Sequence, residues 1–389
     1  MPVCLISKQS HCNGRPCTFL SKNAQEQGKT VSGRPKVAIG LVNNMPDGAL
    51  EQTERQFVAL LRAASEGIDL CLGLYAMPDV PRDASGARHV DEKYLSVEQL
   101  WEMRLDALIV TGREPLSPRL QEEPYWPVFT RLFDWAQERT YSTIWSCLAA
   151  HAAVLHRDGI HRVRREQKYS GVFDCARVAD HPLLHGTPAG FRLPHSRWNG
   201  IEEEALLRSG YTLLSRTSSG EVDIFVRQDK SLFVYFQGHP EYEANTLLLE
   251  YRRDIGRYLR NETQVYPSIP AGYFDQDAAS RLEVFQKKVR EHRGADLQAE
   301  ASAILEAAPA RATWSPTAVH IYRNWLQYLQ SQKAHEAQLQ ELVLPTSLAG
   351  AHPAHCAGTG GPGSTAASWI DCQEPSTTLT ASLSDPTIL

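Results

Sequence analysis

Two short segments contain the residue types of a nucleophile and its proton acceptor. Cys147 ends the apolar run STIWSC and directly precedes an alanine-rich segment, LAAHAAVLH. A cysteine at a sharp turn from strand to helix is exposed at the sheet edge, where the helix N-terminus stabilises a thiolate and backbone N–H groups can bind an oxyanion. The pattern predicts a cysteine nucleophile, and the alternative is a buried structural cysteine, the usual environment of this residue type.

The second segment is FQGHPEYE, at residues 236–243. The apolar run LFVYF leads into a loop with His239 and Glu241, and a nearby carboxylate can hold an imidazole in the tautomer that a general base requires. Cys147, His239 and Glu241 are therefore the predicted catalytic triad. His151 is an alternative base, because it follows Cys147 by four residues on the same helix face. A surface histidine beside an acidic turn is the non-catalytic interpretation of His239.

Cationic residues flank several predicted strand and helix ends, among them Lys168, Arg197 and the Arg252–Arg253 pair. A guanidinium group can bind a carboxylate through two parallel hydrogen bonds, and a lysine supplies a point charge. Most lysines and arginines are solvated surface charges. Residue type alone therefore does not separate these cations from the other arginines of the chain.

The cysteines and histidines predict no metal site. The eight cysteines include no CxxC pair, His151 and His156 are five residues apart, and no HExxH sequence occurs. Eight cysteines in a chain of this length are also too few for a disulfide scaffold. The pattern favours reduced thiols and a cytoplasmic enzyme.

The pattern from Lys36 onward predicts the scaffold that positions these residues. Apolar runs predict four strands, at residues 37–42, 68–75, 106–112 and 142–147, and helical spacing predicts helices at residues 50–65, 124–140, 148–156 and 245–259. Alternating strands and helices predict an α/β fold with a doubly wound, mostly parallel sheet and a site at the carboxyl ends of its strands. Shorter β segments after residue 170 predict extra antiparallel strands that extend or cap this sheet. Helices at residues 280–293 and 319–330 complete the prediction.

Composition excludes several classes of protein. The 389 residues are 42% hydrophobic and 22% charged, with a net charge of −5. These values lie near globular averages, which excludes collagen, coiled coil and wholesale disorder. A slightly acidic chain is unlike a nucleic-acid binder, and no apolar run reaches membrane-spanning length. We expect a flexible leader over residues 1–35, a catalytic domain over residues 36–343 and a disordered, low-complexity tail over residues 344–389.

Eight motifs in order resemble those of one family. They are NNMPDGALEQTERQF, DALIVTGREP, EEPYWP, WSCLAAHAA, EQKYSGVF, PHSRW, GHPEYE and EYRRD, and NWLQYLQ is similar to the family's C-terminal helix. The family is that of the homoserine O-succinyltransferases and homoserine O-acetyltransferases, in the class I glutamine-amidotransferase-like superfamily. The resemblance implies a flavodoxin-like, class I amidotransferase-like sheet and a homodimer that acts in methionine biosynthesis.

The resemblance implies an acyl-CoA-dependent reaction in two steps. The thiolate of Cys147 takes the acyl group as a thioester, and the hydroxyl of L-homoserine then accepts it. His239 is implied as the proton acceptor and Glu241 as its orienting partner. The resemblance implies small-molecule partners, with acyl-CoA as a co-substrate. We expect no cofactor beyond it and no nucleic-acid or membrane partner.

By position, the resemblance also implies substrate-binding residues, namely Lys168, Ser196, Glu250 and Arg253. Arg253 suits the carboxylate of the amino acid, and Glu250 suits its ammonium group. The position that distinguishes acyl donors in the family, glycine for succinyl and glutamate for acetyl, falls on Leu116 in an ungapped count. Glu114, two residues earlier, is the second candidate. Leucine matches neither pattern, so the residue at this position does not decide between a succinyl and an acetyl donor. We prefer succinyl-CoA as the donor.

Two other functions are alternatives at this point. Leu116 and a long loop at residues 43–54 are compatible with another hydroxy amino acid, such as serine, as the acceptor. A glutaminase-like cysteine hydrolase would use the same triad. Amidotransferase elbows usually have a glycine directly before the cysteine, where this chain has Ser146.

Overall fold

One mixed sheet runs through the part of the chain that this computed structural model describes, which is residues 3–6, 11–12, 15–16 and 36–343. Its strands are β1 (Cys4–Ile6), β2 (Lys36–Val42), β3 (Asp69–Ala76), β4 (Leu95–Ser96), β5 (Ala107–Thr111), β6 (Ser142–Ser146), β7 (Val163–Arg177), β8 (Gly190–Gly200), β9 (Thr212–Thr217), β10 (Val222–Gln228) and β11 (Leu232–Phe236). Their spatial order is β1-β3-β2-β5-β6-β11-β10-β9-β7-β8, and the short β4 pairs with β3.

The helices of the described residues connect and cover these strands. They are α1 (Asp47–Ala64), α2 (Ala84–Lys93), α3 (Val97–Trp101), α4 (Trp126–Arg139), α5 (Leu148–Asp158), α6 (Glu203–Arg208), α7 (Thr246–Leu259), α8 (Gln276–Glu291), α9 (Gln298–Glu306) and α10 (Ser315–Val343). The described residues also contain three short 3₁₀ helices, at Leu120–Glu122, Pro182–Leu184 and Ala295–Leu297.

Strand direction divides the sheet into two halves. The pairs from β1 to β11 in the spatial order are all parallel, and the pairs from β11 to β8 are all antiparallel. The prediction of a mostly parallel α/β sheet with extra antiparallel strands is confirmed. Of the two arrangements expected for the short β segments, the structure has the extension of the sheet.

Helices cover both faces of the parallel half, which explains its nearly continuous apolar runs. In β2, Val37, Ile39 and Leu41 pack on the face covered by α1 and α10. The alternating residues Ala38 and Val42 pack on the opposite face, against α4 and α5. This alternation follows from the pleat of a strand, whose successive side chains point to opposite faces. A further apolar cluster joins α7, α8 and α9.

Some element boundaries differ from the prediction. The last helix, expected at residues 319–330, extends over Ser315–Val343, and the short helices α2, α3, α6 and α9 have no counterpart in the sequence prediction. Part of the expected leader, Cys4–Ile6, adds a parallel strand at the sheet edge, and His11–Cys12 pairs with Arg15–Pro16. The rest of the leader and the expected tail at residues 344–389 lie outside the described residues. Among the described residues, no helix combines the length and apolar character needed to cross a bilayer.

Candidate active site

Cys147 lies on a strained turn between β6 and α5. Its backbone has φ 51° and ψ −109°, a conformation that residues other than glycine rarely adopt. The backbone N–H of Cys147 donates a hydrogen bond to the carbonyl oxygen of Phe236 in the neighbouring strand β11, at 2.8 Å. This sharp strand-to-helix turn leaves the side chain partly exposed at the carboxyl end of the sheet, as a nucleophile elbow requires.

The end of β5 packs directly against the start of α5. A Cβ atom built on Gly112 would lie 2.5 Å from the Cβ of Leu148 and 2.7 Å from the backbone nitrogen of Ala149, so only glycine fits this contact. The first N–H groups of a helix have no acceptor within the helix. The N–H groups that follow Cys147 are therefore available to bind a developing oxyanion, and the helix dipole favours negative charge there.

His239 and Glu241 form a hydrogen-bonded pair in the loop after β11. Their Nδ1 and Oε1 atoms are 2.8 Å apart, and each residue is only 7% exposed. The backbone N–H of His239 donates to the carbonyl oxygen of Pro194, which holds the loop against β8. Glu241 therefore orients the ring through Nδ1 and leaves Nε2 for the thiol.

The thiol of Cys147 lies within hydrogen-bonding reach of this imidazole. Burial lowers the pKa of His239, but Glu241 and a charged, hydrogen-bonded Cys147 thiolate raise it more. The pKa of His239 consequently lies well above its ordinary value of 6.5. This direction favours the protonated, imidazolium form of His239 in the resting site.

His151, the alternative base, lies in a different environment. It is 2% exposed and is not among the residues that line the cavity at Cys147. Burial, together with the charges of Arg197 and Arg162, lowers the pKa of His151 to about 3. A buried imidazole of such low basicity is a poor proton acceptor at neutral pH.

Glu250, on α7, is the centre of a polar cluster beside the triad. Its Oε2 accepts hydrogen bonds from the Ser196 hydroxyl and from Lys168 Nζ, the latter at 3.4 Å, and its Oε1 accepts one from the Tyr242 hydroxyl at 2.7 Å. Burial raises the pKa of this carboxyl. The charges of Lys168 and Arg253 and the two hydroxyl hydrogen bonds lower it more, to about 2.

Asp254 belongs to the same cluster and is absent from the sequence-based prediction. Its Oδ2 lies 2.8 Å from Lys168 Nζ, and its Oδ1 lies 2.9 Å from Arg253 Nη2. Burial lowers the pKa of Lys168, but Glu250 and Asp254 raise it more, so its net direction is upward. The sequence signal that could have identified Asp254 is its position four residues after Glu250, on the same face of α7.

Tyr242 is a second residue that the sequence-based prediction misses. Its ring stacks on the His239 imidazole, and its hydroxyl donates to Glu250. Burial, with the negative charges of Glu250 and Glu241, raises the pKa of Tyr242 well above 10.0, so the phenol stays a hydrogen-bond donor. The position of Tyr242 in the motif GHPEYE, directly after Glu241, is the signal that could have identified it.

The loop after β5 contains both candidates for acyl specificity. The Leu116 side chain is 63% exposed, while the backbone N–H groups of Leu116 and Ser117 donate to Oε1 of the buried Glu123. Glu114 Oε2 lies 3.3 Å from Arg257 Nη1. This ion pair offsets the charge of Glu114, the second candidate for acyl specificity.

All nine predicted site residues line one large cavity of about 1870 Å³. They are Glu114, Leu116, Cys147, Lys168, Ser196, His239, Glu241, Glu250 and Arg253. Five of them come from loops or turns at the carboxyl ends of β5, β6 and β11, and α7 contributes two more. The cavity is far larger than an amino acid, and it leaves room for a substrate of the size of a coenzyme thioester.

A buried cluster of possible metal ligands lies outside this cavity. The ligand atoms of Cys175, His195 and Asp223 lie within 4.8 Å of one another. His195 Nε2 is 3.2 Å from Asp223 Oδ1, and Asp223 Oδ2 accepts a hydrogen bond from the Ser215 hydroxyl. His195 and Asp223 are fully buried, and burial lowers the pKa of His195. The sequence-based prediction of no metal stays a prediction.

Fold and site together define a class, that of α/β enzymes with a cysteine at a nucleophile elbow. Within this class the chain belongs to the homoserine O-succinyltransferase family, whose family model matches residues 20–336. A homoserine O-succinyltransferase of Rhodopseudomonas palustris is 46% identical over 296 residues, covering 76% of this chain and 89% of the relative. A second homoserine O-succinyltransferase, from Methylorubrum extorquens, is 44% identical over 299 residues, covering 77% of this chain and 89% of the relative.

Solved structures with a similar fold include two glutamine amidotransferases. The protein from Methylobacillus flagellatus has a TM-score of 0.42 and 14% identity, covering 76% of this chain and 95% of that chain. The protein from Thermotoga maritima has a TM-score of 0.40 and 12% identity, covering 76% of this chain and 98% of that chain. Similarity of this size carries no argument about activity.

Proposed function

We propose that the protein is a homoserine O-succinyltransferase that transfers the succinyl group of succinyl-CoA to the hydroxyl of L-homoserine, in methionine biosynthesis. The observation that carries the proposal is the elbow cysteine within reach of a histidine that a buried glutamate orients. Membership of the homoserine O-succinyltransferase family supports the choice of substrates.

In the first step the Sγ thiolate of Cys147 attacks the carbonyl carbon of the succinyl thioester. The N–H groups at the start of α5 stabilise the oxyanion of the tetrahedral intermediate. The bond between that carbon and the CoA sulfur then breaks, and the His239 imidazolium gives its proton to the departing CoA thiolate. The products are free CoA, a succinyl thioester on Cys147 and a neutral His239.

In the second step His239 acts as a base. The acylated sulfur is uncharged, so the electrostatic contribution of the Cys147 thiolate to the raised pKa of His239 is lost. The neutral imidazole accepts the hydroxyl proton of homoserine while the oxygen attacks the thioester carbonyl. The carbon–sulfur bond breaks, O-succinylhomoserine leaves, and the thiolate–imidazolium pair is restored.

The polar cluster beside the triad offers a binding site for the amino-acid end of homoserine. Arg253 is 44% exposed on its side chain and faces the cavity, where its guanidinium can bind the substrate carboxylate. Glu250 is the proposed partner of the substrate ammonium. Lys168 and Ser196 contact Glu250 and would hold its carboxylate in place.

The test is a steady-state comparison that reads free CoA. Purified enzyme is incubated with L-homoserine and succinyl-CoA, acetyl-CoA or no donor, and with L-serine in place of homoserine. We expect the highest kcat/KM for succinyl-CoA with homoserine, and no turnover by Cys147→Ala. Preference for serine would identify another acceptor, and ammonia release from glutamine without acyl transfer would indicate a glutaminase. The expected homodimer is tested separately by light scattering after size-exclusion chromatography.

A further inference from the structure

Arg113 is a buried arginine in the wall of the cavity, and its guanidinium contacts backbone carbonyls but no carboxylate of the described residues. It is 9% exposed and lines the same cavity as Cys147. Its Nε donates to the carbonyl oxygen of Glu114 at 3.2 Å, and its Nη1 donates to the carbonyl oxygen of Pro81 at 3.5 Å. Within the described part of the chain, Arg113 forms no ion pair with a carboxylate, and its Nη2 has no hydrogen-bond acceptor.

Other cavity cations differ from Arg113 in burial or in pairing. Lys168 pairs with Glu250 and Asp254, and Arg257 pairs with Glu114. Arg113 and Lys168 are the cavity-lining cations of residues 36–343 whose side chains are about nine-tenths buried, and only Lys168 of the two is paired with carboxylates. A buried guanidinium is costly unless an anion neutralises it. This charge is therefore suited to an anionic group that arrives with the substrate.

Chain connectivity places Arg113 beside the nucleophile. Thr111 is paired in register with Ser146, the residue before Cys147. Gly112 contacts the start of α5. Arg113 follows directly, at the point where the chain leaves β5 and enters the cavity wall. An acyl group on Cys147 would therefore extend into the cavity that Arg113 also lines.

We propose that Arg113 binds the distal carboxylate of the succinyl group and makes the enzyme selective for a dicarboxylic acyl donor. The inference rests on the proposed function, because it deepens the donor specificity of that site. The backbone carbonyls of Glu114 and Pro81 hold the guanidinium plane, and Nη2 supplies donors to the carboxylate. Butyryl-CoA has the same number of acyl carbons with a methyl group in place of this carboxylate, so it lacks the group that Arg113 recognises.

The experiment compares kcat/KM for succinyl-CoA and butyryl-CoA, with homoserine at saturation, on wild-type protein, Arg113→Met and Arg113→Lys. Arg113→Met should lower kcat/KM for succinyl-CoA roughly 10- to 100-fold, the usual effect of losing hydrogen bonds to a charged group, and leave that for butyryl-CoA nearly unchanged. Arg113→Lys keeps the charge without the planar fork and should give a smaller loss. The ratio of the two values does not depend on the active fraction of a preparation, so partial misfolding does not obscure it.

Arg252→Met is the matched control, since Arg252 lines the same cavity from α7. Its substitution should leave the ratio of the two donors unchanged, even if both values fall. An unchanged ratio in Arg113→Met, or a wild-type enzyme that uses butyryl-CoA as well as succinyl-CoA, would overturn the inference. If the enzyme still acylates homoserine in either case, the proposed acyltransferase function is retained and only the role of Arg113 is wrong. No turnover with any donor would overturn both.

Discussion

The phenol ring of Tyr242 stacks on the imidazole of His239, with ring centroids 4.3 Å apart and 17° between the planes. The hydroxyl of the same tyrosine donates to Oε1 of Glu250 at 2.7 Å. Tyr242 thus contacts the proposed base, His239, through its ring. Through its hydroxyl it contacts Glu250, the proposed binding partner of the homoserine ammonium group. The two contacts can be removed separately, because phenylalanine retains the ring.

Tyr242→Phe should therefore raise KM for homoserine roughly tenfold, since it removes a hydrogen bond to a charged group. The rate of thioester formation with succinyl-CoA alone should stay unchanged, because the ring still stacks on His239. Tyr242→Leu should slow thioester formation as well. Rapid-quench measurement of CoA release separates the two half-reactions.

Tyr273→Phe is the matched control for Tyr242→Phe. It removes a hydrogen bond of 2.6 Å to the carbonyl oxygen of Ala244, in the same loop, and Tyr273 does not line the cavity at Cys147. KM for homoserine should stay at its wild-type value in this variant. An equal rise in both phenylalanine variants would mean that loop disorder, not the contact with Glu250, causes the effect.

Substitution of the two candidate bases should give opposite results. His239→Asn should lower kcat roughly 10²- to 10⁴-fold, the usual contribution of a general acid–base group. His151→Gln should be nearly silent, because His151 is buried away from the cavity and its pKa is lowered to about 3. Steady-state kinetics with succinyl-CoA and homoserine measure both variants, and the reverse ranking would identify His151 as the base.

The strongly patterned parts of the fold were predictable from the sequence. The strands β2, β3, β5 and β6 are covered on both faces, so each is a nearly continuous apolar run bounded by turn residues, which predicts a buried strand. The joint position of Cys147 and His239 follows because both residues come directly after parallel strands, whose carboxyl ends meet at one edge of the sheet. Short helices such as α6 lack the length that gives a periodic signal.

The residues that the sequence did not predict are those whose role depends on side-chain direction. Tyr242 and Asp254 acquire their roles from partners on other elements, His239 and Lys168 respectively. Arg113 differs from other arginines only in its burial and in its lack of a carboxylate partner within the described residues. Neither property can be read from local residue type, so these positions needed the assembled structure.

Stability should depend on pH through Glu250. Its pKa is lowered from 4.5 to about 2 in the folded protein, so its stabilising contribution is present above pH 4.5 and is lost as pH falls toward 2. Glu250→Gln should reduce the change in unfolding free energy over that interval, as measured by urea denaturation followed by circular dichroism. Glu204→Gln, at an exposed carboxylate on α6, is the control and should retain the wild-type pH dependence. A wild-type slope in Glu250→Gln would contradict the assignment.

Alkylation should distinguish Cys147 from the buried cysteines Cys71 and Cys175. Cys147 is partly exposed, whereas Cys71 and Cys175 are buried. Iodoacetamide should modify the Cys147 peptide and abolish activity, and prior addition of succinyl-CoA should slow both changes by occupying the thiol. Peptide mass mapping measures the modification. Equal rates of inactivation with and without succinyl-CoA would argue against a donor site at this cysteine.

The most direct test of the account is to trap the acyl-enzyme. Wild-type protein is mixed with succinyl-CoA in the absence of homoserine, quenched in acid, digested and mapped by mass spectrometry. We predict a succinyl thioester on Cys147 that disappears, with formation of O-succinylhomoserine, when homoserine is added before the quench. Rapid product formation with no acyl group ever detected on Cys147, or with an acyl group on another residue, would contradict the central claim.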